Sequence, residues 1–215
     1  DGYLAISAHS AQEGIKYLNL NEKSVVNIST ACDELFKKIQ HDKFEDLSRL
    51  NIAKPFVLYT GGADDRKNIV GLIKAFASLP IQLKKQYQLV IAGKIPDGNM
   101  EHLHLCAKKS GLGFNEYLFI GYVTNEELVT LYNRCSLFIM PSYKEGFGLP
   151  ALEAINCGAP VIGSNCSSIP EVIGYKEALF DPYDINDISK KIEKALTDDN
   201  FRSDLVSHES KQISK

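Results

Sequence analysis

The chain has 215 residues, 44% hydrophobic and 24% charged, a globular composition with enough apolar material for a sizeable core, which excludes disorder, collagen and coiled coil. Its 24 Lys and Arg against 27 Asp and Glu give a formal net charge of -3 with no long basic block, which argues against a dedicated nucleic-acid surface. No apolar run approaches the roughly 18 to 20 residues of a spanning helix, no basic-then-apolar start reads as a secretory signal, and the five cysteines lack C-x-x-C spacing, so reduced thiols in a cytoplasmic protein are expected.

Tyr3 to Ser7 predicts a strand, Ala11 to Leu18 a helix and Val25 to Ile28 another strand, followed by a polar stretch around His41 to Asp46. With a start at Asp1 rather than Met, residues 1–50 read as the end of a preceding N-terminal domain and an interdomain connection, in a piece of something longer. From Pro55 a regular pattern begins. Short apolar runs at Phe56–Tyr59, Gln88–Ala92, Tyr117–Ile120, Leu137–Met140 and Pro160–Gly163 do not alternate with polar residues, as expected of parallel strands covered on both faces. Between them lie helical faces: Ile69, Leu72, Ile73 and Phe76; Leu103, Cys106 and Ala107; Leu128, Leu131 and Tyr132; and, late in the chain, Ile188, Ile192 and Ala195. This alternation predicts a Rossmann-like, doubly wound parallel α/β sheet over 51–198. Residues 199–215 read as a polar helix or tail, fraying or truncated from Ser207 onward.

Four segments bear on chemistry. Tyr59-Thr60-Gly61-Gly62-Ala63-Asp64-Asp65-Arg66-Lys67-Asn68 runs from strand through glycine turn to a cationic pair and a helix start. Arg66 and Lys67 suit a diphosphate, or else form a solvated cationic pair at a helix start. The segment is neither G-x-G-x-x-G nor a P-loop, which excludes the usual dinucleotide and Walker sites. In Pro141-Ser142-Tyr143-Lys144-Glu145-Gly146-Phe147-Gly148-Leu149-Pro150-Ala151-Leu152-Glu153, a buried strand leads through a glycine-rich loop into a helix with Pro in its first turn. The amides of Phe147, Gly148 and Leu149 would face the carboxyl edge of the sheet and favour an anion, while Glu145 and Glu153 reach the same crevice and suit sugar hydroxyls; the alternatives are a surface carboxylate and a helix-start carboxylate. Gly121-Tyr122-Val123 allows backbone contact with a flat base, or is only a turn. Ser167-Ser168-Ile169-Pro170-Glu171 suits a helix start, with Glu171 at its positive end. The five histidines form no metal-ligand pattern, and no serine or cysteine has a nucleophile setting, so neither a metal site nor hydrolase chemistry is expected.

Glu145 through Glu153 matches the E-x7-E motif, with Phe147-Gly148-Leu149 inside it, of retaining glycosyltransferases with the GT-B fold. Arg66-Lys67-Asn68, Val90-Ile91-Ala92-Gly93, Phe119–Val123, Gly158–Val161 and Pro170-Glu171-Val172 match in order. Over roughly Asp1 to Asp198 the chain resembles the C-terminal, donor-binding half of that large family, which includes sucrose synthases and bacterial mannosyltransferases. The resemblance implies retaining, metal-independent transfer of a hexosyl group from a GDP or UDP sugar to a glycan or lipid-linked acceptor in bacterial polysaccharide synthesis. No cofactor beyond that donor is implied. Lys67, with Arg66 and Gly61 nearby, would contact the diphosphate, and Glu145 the donor sugar. Glu153 would hold the ribose, Val123 the base through its main chain, and Phe147, Gly148 and Leu149 the phosphate or sugar. Glu145, Lys67 and Arg66 would carry the catalytic roles. Gly62 stands where many members have Arg. The N-terminal domain would supply acceptor contacts, and the whole protein would work in the cytoplasm, with room for peripheral association at the inner face of the membrane. A non-catalytic nucleotide-binding module of a multi-chain assembly is the alternative.

Overall fold

A computed structural model describes residues 2–213, with side chains described through residue 208. Two sheets are present. The first pairs β1 (Tyr3–Ala5) with β2 (Val25–Asn27) in parallel, joined by α1 (Ala8–Leu18). Ser7 keeps extended backbone but lies beyond the strand pairing, which ends at Ala5: its hydroxyl accepts from the Ser10 amide and caps α1.

The second sheet contains β3 (Phe56–Thr60), β4 (Gln88–Ala92), β5 (Tyr117–Gly121), β6 (Leu137–Met140), β7 (Val161–Ser164) and β8 (Leu179–Phe180), all parallel, in the order β5-β4-β3-β6-β7-β8. Every residue of β3, β4, β6 and β7 is buried, which is why their sequences carry no alternation. The helices are α2 (Ile69–Ala77), α3 (Ile81–Gln86), α4 (Asp97–Lys109), α5 (Asn125–Arg134), α6 (Leu149–Asn156), α7 (Ile169–Ile173), α8 (Ile185–Thr197) and α9 (Asp199–Ile213). In one layer α2 packs on α4 and α8; in the other α6 packs on α5, α7 and α9. The C-terminal helix contributes Phe201 and Leu205 to the core.

Residues 28–55 run as a strap across α5. The Ile39 amide donates to Asn133, the Glu45 amide to Thr130, and Arg49 forms a two-pronged ion pair with Glu127. Phe36, Leu47 and Leu50 of the strap are buried.

The direction of winding reverses between β3 and β6, so the loops leaving these strands diverge and open a crevice at the carboxyl edge. Beside it the chain ends of β3 and β4 come very close. The Gly61 amide donates to Ala92 O at 3.0 Å, the Gly93 amide donates to Gly121 O at 2.8 Å, and Gly61 and Gly93 have φ of 145° and 142°. A Cβ on Gly93 would lie 2.0 Å from Gly61 O, so glycine is needed there for both the dihedral and the contact.

Candidate functional site

The crevice at the β3/β6 reversal brings together the three residues expected to carry catalysis. A short turn, Asp65–Lys67, follows β3, and Asn68 begins α2 with φ of 55°. Buried Asn68 donates from Nδ2 to Pro141 O at 3.1 Å and Pro182 O at 2.9 Å, tying the loops after β3, β6 and β8 into one rim. The Tyr143 amide donates to Arg66 O at 2.8 Å, which fixes the loop after β6 against the cationic turn. Lys67 Nζ then meets Glu145 Oε1 at 2.7 Å, and Arg66 reaches Glu145 Oε2 at 3.3 Å while its Nε holds Asp64 at 2.8 Å. Lys67 and Glu145 are mostly buried, whereas half of the Arg66 side chain is exposed. Gly61 belongs to the same rim, through the turn closed by Tyr59 Oη donating to Gly62 O at 2.8 Å. Burial and the nearby Glu145 charge raise the Tyr59 pKa, keeping the phenol neutral.

The glycine-rich loop is held by hydroxyls from distant parts of the chain. Ser167 Oγ accepts from the Glu145 amide, Ser168 Oγ lies within hydrogen-bonding distance of Glu145 O and Phe147 O, and Ser7 and Ser10 both donate to Gly146 O. Glu171 lies in the first turn of α7, but its carboxylate accepts from the Ala8 amide at 2.9 and 3.0 Å, at the start of α1. These contacts join the β1-α1-β2 unit to the loop carrying Glu145. Phe147 is buried, Gly148 packs on Met140 and Val172, and Leu149 is 41% exposed as the first residue of α6. Among the described residues nothing accepts from the amides of Phe147, Gly148 or Leu149, which leaves three donors at a helix start.

Glu153 occupies a different setting from Glu145. It lies on α6, half-buried, where Glu153 Oε2 accepts from Tyr132 Oη at 2.9 Å, and Tyr132 Oη lies 2.9 Å from Thr60 Oγ1 at the end of β3. Burial raises its pKa, the Tyr132 hydrogen bond opposes that rise, and the Asp33 charge adds to it. Among the described residues no side chain bonds to both carboxylates, so the E-x7-E pair supplies two separately supported acids. Val123 is buried just after β5, two strands from the strand that leads to Lys67. Thr60 and Ser167 lie in segments that bear on chemistry but have no role of their own there, and Tyr132 shows in the sequence only as a helical core position.

None of the cysteines is in a disulfide; Cys135 and Cys157 are buried, and burial pushes the Cys157 thiol up to about 12. Among the described residues no three His, Cys, Asp or Glu side chains are placed to hold a metal ion, and no helix is long and apolar enough to cross a membrane. A cavity of about 730 Å³ lies at the opposite edge of the sheet between Phe56, Arg134 and Ser136 and is not lined by Lys67 or Glu145. The crevice wall bears charge and backbone donors.

The model of the family described as glycosyl transferases group 1 matches residues 41–212. A serotype-specific mannosyltransferase, WbdA, from Escherichia coli is 40% identical over 218 aligned positions, covering all of this chain and 27% of that protein. The O-antigen chain mannosyltransferase B of the same species is 35% identical, covering 93% of this chain and 52% of its own length. The fold superposes on sucrose-phosphate synthase from Thermosynechococcus elongatus with a TM-score of 0.83 at 25% identity, covering 98% of this chain and 53% of the enzyme. It superposes on Anabaena HepE, solved with UDP and glucose, with a TM-score of 0.85 at 22% identity and 98% and 57% coverage. The chain thus spans about a quarter to a half of the curated relatives named here and somewhat over half of these solved structures.

Proposed function

Because the chain belongs to the glycosyl transferases group 1 family, we propose that it is the donor-binding part of a retaining transferase that moves a hexosyl group from a nucleoside-diphosphate sugar to a glycan or lipid-linked acceptor. The observation that carries this reading is the Lys67–Glu145–Arg66 cluster beside three unpaired amides at the switch point of a doubly wound sheet. Cations and helix-start amides suit a diphosphate that becomes the leaving group, since they stabilise the negative charge growing on its bridging oxygen. Glu145, already held by Lys67 and Arg66, is positioned to accept from donor-sugar hydroxyls and to steady positive charge at the anomeric carbon. Two separately supported carboxylates differ from the acid and nucleophile pair of a retaining hydrolase, and fit a reaction in which the acceptor attacks from the leaving-group face.

Glu153, with one oxygen bonded to Tyr132, has its second oxygen available to a ribose diol, and Val123 offers main-chain groups to the base. The donor sugar is proposed to be mannosyl and its carrier GDP or UDP, in line with the mannosyltransferases among the relatives. Acceptor contacts belong to a preceding domain, the wall opposite the crevice, and the reaction takes place on the cytoplasmic side, at the inner face of the membrane. The cationic turn, the amides and the sugar-facing carboxylates provide for donor binding and leaving-group stabilisation without a metal, so magnesium should leave both affinity and turnover unchanged. Gly62 in place of the common Arg is the one feature favouring a non-catalytic module; turnover of a mannosyl donor by the full-length protein, set against nucleotide binding without turnover, separates the two.

The raised pKa of Glu153 gives a pH test. A ribose bound through this carboxylate requires it ionised, so nucleotide affinity should be fully developed above the raised folded pKa and fall as pH drops through it, at a pH above the ordinary value of 4.5. Calorimetric titration of a nucleoside diphosphate from about pH 8 to about pH 5 reads this directly. Glu153→Gln should bind weakly throughout, without that inflection.

A further inference from the structure

We propose that Tyr132 is a positioning residue for the nucleotide site, aiming one oxygen of Glu153 through a buried hydroxyl relay that begins at Thr60 and leaves the other oxygen for the ligand. The inference rests on the assignment of Glu153 to the ribose. Tyr132 Oη has one proton and two partners, Glu153 Oε2 and Thr60 Oγ1, each at 2.9 Å. An ionised carboxylate can only accept, so Tyr132 donates to Glu153 and Thr60 donates to Tyr132. The relay has one direction and runs from the last residue of β3, next to the Gly61 turn, across to α6.

The middle of this relay is rigid. Tyr132 is fully buried, and its ring meets Phe36 edge-on at 6.0 Å and Phe138 at 5.4 Å, so the hydroxyl cannot follow Glu153 if that side chain moves. Among the described residues nothing donates to Glu153 Oε1, and this oxygen is not among the buried side-chain atoms left without a partner, so it is open to solvent and to a ligand. The other titratable groups facing Glu153 all oppose its ionised form: Asp33 from the strap, and the Cys32 and Cys157 thiols if they lose their protons. The Tyr132 hydrogen bond is thus the contact that opposes them, favouring the ionised form of the acid as well as aiming it.

A tyrosine that only filled the core would lower stability on losing its hydroxyl without changing how binding depends on pH. The test is calorimetric titration of GDP and UDP across pH on the full chain, for the unmodified protein, Tyr132→Phe and Thr60→Val, together with an NMR titration of the Glu153 carboxyl carbon without nucleotide. Tyr132→Phe should weaken the better nucleotide roughly tenfold at neutral pH, the loss of one hydrogen bond to a charged group. It should also move both the binding midpoint and the carboxyl titration to higher pH. Thr60→Val keeps the ring and its packing and should move both in the same direction by less, which serves if Tyr132→Phe folds poorly. A carboxyl midpoint unchanged in the folded variants overturns the relay. If neither nucleotide binds the unmodified protein, the ribose assignment fails as well, whereas binding lost in Glu153→Gln but indifferent to Tyr132→Phe at every pH overturns the positioning role alone.

Discussion

Lys67→Ala is expected to weaken binding of a nucleoside diphosphate by roughly 10- to 150-fold, the value of one charge-assisted hydrogen bond of about 1.5 to 3 kcal/mol, and to abolish measurable transfer in the full-length protein. Lys67 is the better-buried cation, and its Nζ sits 2.7 Å from Glu145, so its charge acts where water screens it little. Removing it also leaves Glu145 with only the longer contact to Arg66, and uncoupling a buried pair costs about 3 kcal/mol of stability. Arg66→Ala provides the contrast. With half of its side chain in solvent and a second partner in Asp64, Arg66 should matter less than about fivefold in affinity, as exposed ion pairs do. Calorimetry on both variants, with thermal midpoints recorded alongside, checks the order. Equal losses in the two would mean that the buried pair is structural and the diphosphate lies elsewhere.

Gly93→Ala carries the largest expected effect on the fold, a loss of about 2 to 5 kcal/mol, because a methyl group there demands both a disfavoured dihedral and displacement of Gly61 O. A urea titration should show the midpoint falling with little change in slope. Since Gly61 leads into the turn that bears Arg66 and Lys67, nucleotide affinity should fall even at temperatures where the variant is folded. A variant as stable as the parent would show that the two strand ends separate easily and do not define the rim.

The sheet was legible because strands buried on both faces leave continuous apolar runs, as in Phe56–Tyr59 and Leu137–Met140. β8 escaped because two residues carry no periodicity, and α3 because six residues opening after Pro80 are too short to show a face. At the site, the spacing of Glu145 and Glu153 and the adjacent cations Arg66 and Lys67 were visible, since each is a local pattern. Their pairing was not. Lys67 meets Glu145 across 78 positions of sequence, and Tyr132 meets Glu153 by α5 packing on α6, so only the winding of the sheet brings them together. Ser7 shows the same limit: as a residue it looks like the end of a strand, and its two tasks, capping α1 and holding Gly146 O, appear only when the β1-α1-β2 unit is placed against the glycine-rich loop.

The central claim is that this crevice binds a nucleoside diphosphate through Lys67 at one end and Glu153 at the other. Calorimetric titration of the full-length protein with UDP, GDP and ADP, with and without magnesium, repeated on Lys67→Ala and Glu153→Gln, tests it most directly. The account predicts saturable binding of one nucleotide, unchanged by magnesium and strongly weakened in each variant. Binding that persists in both variants, or no binding of any of the three, would contradict it.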